Sequence, residues 1–279
     1  MMNLSVVIVN WNSGRHLRRA LDSLRVLQGQ LRDVWIIDNA SSDLSPDGYT
    51  ESMDVHVIYQ QANFGFAQAA NEGISRATSD FILLSNPDIQ VIPESVQGLY
   101  EEIEDRPQAG IVCGPLIDSE GEVQKDFQIR KLPTWRSVLL ESIFIDELLT
   151  VIGWRSEKPD STPRDPTRIE QPAAAFWILR KSAWEAVGGF DPRFYPAWFE
   201  DVDFCKRLQS AGWEILYFSG LPVIHQGGHS LERLSYPKFI RIFYRNLLRY
   251  LKKHHPRAYP ILWLPIQCGM WMRYMMTRK

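Results

Sequence analysis

Cysteine is scarce in this chain. Cys113, Cys205 and Cys268 are widely spaced and odd in number among 279 residues. There is no CxxC and no Cys/His spacing for zinc, which excludes a disulfide framework and a zinc ribbon and fits a reduced, cytoplasmic setting. Excess positive charge is missing too. A formal net charge of −2 argues against nucleic acid as a main partner, because that role needs a basic face. No G-x-G-x-x-G follows the first apolar run, which excludes a dinucleotide oxidoreductase. The segment there, Asn10-Trp11-Asn12-Ser13-Gly14-Arg15, is too poor in glycine to cradle a triphosphate, so a nucleotidyltransferase is disfavoured. The opening MMNLSVVIVNWN has no basic n-region and no cleavage site, and is expected to be a buried strand and not a signal peptide. A long unbroken apolar run is also lacking. Residues 258–272 come nearest, but Pro260 and Pro265 interrupt them, and the run is too short for a membrane span.

What is present is an ordinary globular core, with 45% hydrophobic residues. The first half alternates strand and helix patterns. Residues 4–9, 34–37, 55–59, 81–84 and 111–117 are apolar runs of strand length, as in a sheet covered on both faces. Between them, residues 17–27 and 64–77 carry helical spacing, and Pro93 suits the first turn of another helix. This order predicts an α/β fold, Rossmann-like, with a mostly parallel sheet and helices on both faces. Such sheets bind ligands at the carboxyl ends of their strands. Residues 155–172 are polar and Pro-rich, and are expected to be a loop that could close over a ligand. Further strands are expected at 174–179, 213–218 and 223–225, with helices at 181–187 and 201–211.

The densest chemistry lies at Trp198-Phe199-Glu200-Asp201-Val202-Asp203-Phe204. Carboxylates among apolar residues are seldom placed without a partner or a task, and one held at a pocket wall can act as a general base. Acids at a helix start also complement its dipole, which accounts for one or two of them. Asp38 and Asp88 both fall just past strand ends, where either could simply open a turn. A lone His225 after a strand is compatible with a structural role.

Taken in order, VVIVNWN, IIDNASSD, ANFGFAQAANEGI, LLSNPD, GGFDPRFYPAWFEDVDFCKRL and His225 resemble the motifs of family 2 inverting glycosyltransferases of the GT-A fold. The particular flavour is that of bacterial rhamnosyltransferases that build cell-surface polysaccharides. The resemblance spans roughly residues 3–230 and implies a role for each position. Asp38 would accept a hydrogen bond from the base of a nucleotide donor, with Val9 and Asn10 lining the same pocket. Asn63, Gly65 and Phe66 would lie near the nucleotide and sugar, supported by Asn71, and Asn86 would also face the donor. Asp88 matches the last acid of a DxD metal motif in which Asn86 replaces the first. His225, with His229 as a rival, would be a further ligand for Mg²⁺ or Mn²⁺. Asp201 matches the catalytic base. Glu200, Trp198 and Asp191 would belong to the acceptor site, and Asp203 would be a structural support.

The same resemblance implies a dTDP- or UDP-sugar donor, most simply dTDP-rhamnose, and a saccharide or lipid-linked saccharide acceptor. A non-catalytic carbohydrate-binding relative is the competing reading. A glycosyltransferase domain over 1–230 would precede a C-terminal helical segment, 231–279. That segment mixes basic residues with Trp263, Trp271, Tyr259 and Tyr274. It suits either a surface-lying, membrane-contacting element or a helix packed on the domain. The expected location is the cytoplasm, with peripheral contact to the inner face of the plasma membrane as an option.

Overall fold

A computed structural model describes residues 1–43, 54–124, 128–142, 166–226 and 235–276. β1 (Leu4–Asn10), β2 (Val34–Asp38), β3 (Val55–Tyr59) and β4 (Phe81–Ser85) form a parallel half-sheet, interleaved with α1 (Arg15–Leu24) and α2 (Phe66–Arg76). The sheet continues through β11 (Phe176–Arg180), β6 (Ala109–Cys113), β12 (Glu214–Tyr217) and β9 (Thr167–Arg168). Its order is β3-β2-β1-β4-β11-β6-β12-β9. β11 runs antiparallel to both neighbours, and β12 runs parallel to β6.

Alternation along β1 explains the two-sided burial. Leu4, Val6 and Ile8 enter one core with α1 and with α3 (Pro93–Glu104), while Val7 and Val9 enter the other. The second core gathers α2, α5 (Lys181–Ala186) and α6 (Glu200–Ser210). It also takes in α7 (Tyr236–His254) and α8 (Tyr259–Met276) through Tyr244, Leu247, Tyr250, Leu251, Leu262 and Ile266. α8 packs on α7 and on α4 (Trp135–Ser142).

Two small sheets lie apart from the large one. β5 (Ile89–Gln90), β13 (Val223–His225) and β7 (Leu116–Ile117) make a three-stranded sheet, and β8 (Ile129–Arg130) pairs with β10 (Gln171–Pro172). Here the structure corrects the sequence reading. The single strand expected over 111–117 is two strands in different sheets, because the chain crosses at Gly114. A Cβ there would lie 1.8 Å from the Leu221 carbonyl oxygen, so only glycine lets the backbones pass. The loop expected over 155–172 is also corrected at its described end, where residues 166–172 contribute β9 and β10. Residues 155–165 and His229 lie outside the described residues.

Candidate active site

Strand register builds the site edge. Asn10 pairs with Asp38 at the carboxyl ends of β1 and β2, and Ile8 pairs with Ser85 at the end of β4. Because β11 is antiparallel, its amino end meets that same edge, and the Asn86 N–H donates to the Ala175 carbonyl at 2.8 Å. Residues before β11 and after β2 and β4 are therefore gathered on one side of the sheet.

Asp38 is buried at 3% exposure and accepts three hydrogen bonds, which leaves acceptor capacity on Oδ2. Asn10 Nδ2 donates to its Oδ1 at 2.7 Å, the Ser41 hydroxyl donates to Oδ1 at 2.6 Å, and the Ser41 N–H donates to Oδ2 at 3.0 Å. Val9 sits beside Asn10 with 8% exposure. Asn39 links this end to the next loop: its Oδ1 accepts from the Phe64 N–H and its Nδ2 donates to the Gly65 carbonyl, each at 3.3 Å. Asn63 Oδ1 accepts from the Gly65 N–H at 2.9 Å. Gly65 has φ +85°, and a Cβ on it would strike the Pro196 carbonyl at 2.7 Å. This conformation starts α2 at Phe66, and the Phe66 N–H donates to that same Pro196 carbonyl at 2.8 Å. Asn71 serves a different place from the one expected. Its amide holds both the N–H and the carbonyl of Phe190 at 2.8 Å, pinning the Gly189-Phe190 turn and not the 63–66 loop.

Asp88 and His225 meet through the small sheet, where Ile89 pairs with His225. Asp88 Oδ2 lies 3.5 Å from His225 Nε2, and Asp88 Oδ1 is buried with no hydrogen-bond partner among the described residues. Gln124 clasps the histidine from behind: its Oε1 is 2.7 Å from Nδ1, and its Nε2 donates to the His225 carbonyl at 2.8 Å. That contact favours the proton on Nδ1 and turns the Nε2 lone pair toward Asp88. Burial pushes the Asp88 carboxyl up, but a protonated His225, donating from Nε2 and carrying charge, outweighs it and holds the group below its ordinary value. An orphaned carboxylate oxygen beside an oriented imidazole is a donor set that fits a divalent cation. Among the described residues no group of three such side chains gathers, so diphosphate oxygens and water would have to complete the shell. Asn86, half-buried before Asp88, contributes no charge.

The acids of α6 divide by environment. Phe199 caps the helix with φ +76° and Trp198 precedes it with φ +72°, a strained pair of left-handed residues. α7 holds that turn in place: buried Asn246 donates to the Ala197 carbonyl at 2.8 Å and the Trp198 carbonyl at 3.0 Å. Trp198 packs edge-on against Phe239, with ring centroids 5.0 Å apart. Glu200 is buried at 6% exposure, and its Oε2 has no partner among the described residues. Burial and the neighbouring Asp201 raise its pKa well above the ordinary carboxylate range. Asp201 is half-buried and its pKa is also raised by desolvation. Unlike Glu200, it accepts hydrogen bonds from Gln171 Nε2 at 2.9 Å and the Val202 N–H at 2.8 Å, and Arg130 favours its charge. Asp201 is therefore the member of the pair that ionises first.

Asp203 is fully buried and faces away from this pair. It pairs with Arg207 at 2.8 Å and with both Lys253 and His254 of α7 at 2.7 Å. Burial opposes its charge, yet His254, Arg207 and Lys253 hold its pKa below the ordinary value. Asp191 binds Arg193 at 2.6 Å and Lys253 at 2.7 Å, which hold its carboxyl well below the usual range against the cost of burial.

Three positions in this constellation escaped the sequence reading: Gln171, Gln124 and Asn246. Asn246 alone left a signal, as a polar residue in line with the apolar stripe Phe239, Phe243 and Tyr250. Gln171 and Gln124 sit in polar segments with no periodicity.

The mostly parallel sheet with helices on both faces is the GT-A architecture of its structural neighbours. The chain belongs to glycosyl transferase family 2, whose model matches residues 5–183. It is 30% identical over 246 residues to the N-acetylglucosaminyl-diphospho-decaprenol L-rhamnosyltransferase of Mycobacterium tuberculosis, covering 82% of this chain and 78% of the relative. It is 28% identical over 178 residues to the rhamnosyltransferase WbbL of Escherichia coli K12, covering 63% of each. Among solved structures, Staphylococcus aureus TarS 1-349 in complex with UDP-GlcNAc shares the fold with a TM-score of 0.59 and 15% identity, over 90% of this chain and 67% of that one. A Pyrobaculum calidifontis mannosyltransferase in complex with GDP-Man and Mn²⁺ does so with a TM-score of 0.59 and 13% identity, over 96% of this chain and 70% of that one.

Proposed function

We propose that this glycosyltransferase moves rhamnose from dTDP-rhamnose to a lipid-linked saccharide that becomes cell-surface polysaccharide, with inversion at the anomeric carbon. The observation that carries the chemistry is the divided pair at the start of α6: Asp201 held by Gln171, beside a buried Glu200 whose second carboxyl oxygen has no partner among the described residues. In this reading an acceptor hydroxyl attacks the anomeric carbon and gives its proton to Asp201. The bond from that carbon to the donor diphosphate breaks on the opposite face, and the nucleoside diphosphate leaves. Glu200 donates a hydrogen bond in the acceptor site, whose wall includes Trp198 and is braced by Asp191.

Asp38, with Val9 and Asn10, would receive the nucleobase. Asn63, Gly65, Phe66 and Asn86 would line the donor sugar and diphosphate. Asp88 and His225 would hold Mg²⁺ or Mn²⁺, which when bound neutralises charge on the leaving diphosphate. Asp38 accepts from uracil and thymine alike, so a UDP-sugar is the alternative donor. The choice of rhamnose and of a lipid-linked acceptor rests on the names of the relatives. Residues 1–230 would be the catalytic unit, with 231–279 facing the cytoplasmic side of the membrane.

Thermal-shift titration against a panel of nucleotide sugars, with and without Mn²⁺, tests the assignment. A ligand at about a hundred times its Kd stabilises the native state by about 2.7 kcal/mol. The largest shift is expected for dTDP-rhamnose with Mn²⁺. A larger shift with a UDP-sugar would reassign the donor, and shifts indifferent to metal would remove Asp88 and His225 from a metal role.

A further inference from the structure

α7 carries a feature that the transfer chemistry does not use. Its sequence, YPKFIRIFYRNLLRYLKKH, contains no acid. Lys238, Arg241, Arg245, Arg249 and Lys252 are all exposed, and their spacing puts them within about 80° of arc on one helix face. The opposite face is buried in the core. At the middle of this stripe the cations crowd one loop. Arg245 donates to the Tyr195 carbonyl and Arg249 to the Arg193 carbonyl, and Arg249 Nη1 also donates to Asn246 Oδ1 at 2.9 Å. Arg193 adds a third guanidinium, 72% exposed. Asp191 is shared between Arg193 and Lys253, and Asp203 pairs with Lys253 from the buried side. Repulsion from Arg245 and Arg193 adds to desolvation in lowering the Arg249 pKa, so like charges are held together at some cost.

This loop, 193–199, runs directly into Glu200 and Asp201, and Tyr195 on it is 44% exposed. Arg245 and Arg249 use part of their forks on main-chain carbonyls and Arg193 uses its Nε and Nη2 on Asp191, and a guanidinium has five N–H donors to offer. Planar forks fixed in this way match phosphate oxygens better than mobile ammonium groups do.

We propose that Arg193, Arg245 and Arg249 form a subsite for the diphosphate of a lipid-linked saccharide acceptor, beside the loop that presents Asp201. The inference rests on the proposed function and names the part of the acceptor that this surface recognises. It separates the two diphosphates of the reaction: the donor's belongs at Asp88 and His225, and the acceptor's at the α7 arginines. A bilayer headgroup offers the same phosphate chemistry, and the test distinguishes the two sources.

Calorimetric binding of N-acetylglucosamine linked through diphosphate to a short prenyl chain should be measured on the full chain, in neutral detergent with metal chelated. The parent is expected to bind it, and to bind octyl N-acetylglucosaminide, which lacks the diphosphate, much more weakly. R245Q/R249Q is expected to weaken the diphosphate probe about tenfold or more, and R193Q to weaken it less, since Arg193 is shared with Asp191. UDP binding with Mn²⁺ and an unchanged melting temperature check that the loop is intact, and R193Q reads the site if the double variant misfolds. Equal affinity of parent and variants for the diphosphate probe would overturn the subsite. So would a loss seen only on anionic vesicles and not in neutral detergent, which assigns the arginines to headgroups. Failure of sugar transfer with the binding difference intact would fault the proposed function and leave the diphosphate subsite standing.

Discussion

At the residue scale, two glutamines orient the chemistry that the acids perform. Gln171 is 2% exposed and donates to Asp201, favouring the ionised form that a base needs. The pKa of Asp201 is raised by burial, so the acid limb of kcat against pH should lie above the ordinary carboxylate range near 4. Gln171→Leu removes one hydrogen bond to the charged form. The limb is then expected to move to still higher pH, with kcat depressed chiefly below that limb. A profile displaced in neither direction would show that the contact does not tune the base. The acids themselves were legible in the sequence, because carboxylates amid Trp198, Phe199 and Phe204 demand an explanation. Their division of labour was implied by the family resemblance, but its physical cause was not legible, since it depends on Gln171 and Arg130, which pair across β10 and β8. Gln124 was equally illegible, because only the fold brings residue 124 to residue 225.

At the scale of elements, α6 and α7 act as one unit. Asp203 is fully buried and carries the ion pairs to Lys253 and His254, while Asn246 holds the strained turn before the helix. Removing one member of a buried ion pair leaves its partners uncompensated, so Asp203→Ala should cost on the order of 3 kcal/mol, read by urea unfolding. The pH dependence follows from the sign of the shift. The folded-state pKa is depressed, so the stabilisation is complete above the unfolded value near 3.9 and is lost as pH falls through the folded value. Asp203→Asn should flatten that acid-side loss; an acid transition as steep as the parent's would place its origin elsewhere. The helices and strands of the first half were readable from periodicity alone. The breaks were harder. Gly114 divides one apolar run between two sheets through a backbone crossing that no local pattern announces. β9 and β10 are too short to leave an alternation of their own.

At the scale of the whole molecule, the sheet gathers its chemistry at one edge, and α7 and α8 close the second core. α8 buries Leu262 and Ile266 but leaves Ile261, Trp263, Leu264 and Trp271 exposed. No helix among the described residues is long and apolar enough to cross a membrane. An apolar helix beside a basic one is suited to lie on an anionic bilayer. Replacing Ile261, Leu264 and Trp271 with serine keeps the packed side of α8. This is expected to reduce co-sedimentation with anionic vesicles several-fold without lowering the melting temperature, whereas undiminished sedimentation would argue that α8 is no membrane surface. The two expectations for this tail were not exclusive: α8 packs on the core along one side and exposes apolar side chains on the other. The central claim is that Asp201 takes the acceptor proton. Its most direct measurement is sugar transfer by Asp201→Asn alongside calorimetric donor binding in the same preparation. Transfer is expected to fall by about a hundredfold or more with donor affinity unchanged, and transfer within a few-fold of the parent would contradict the account.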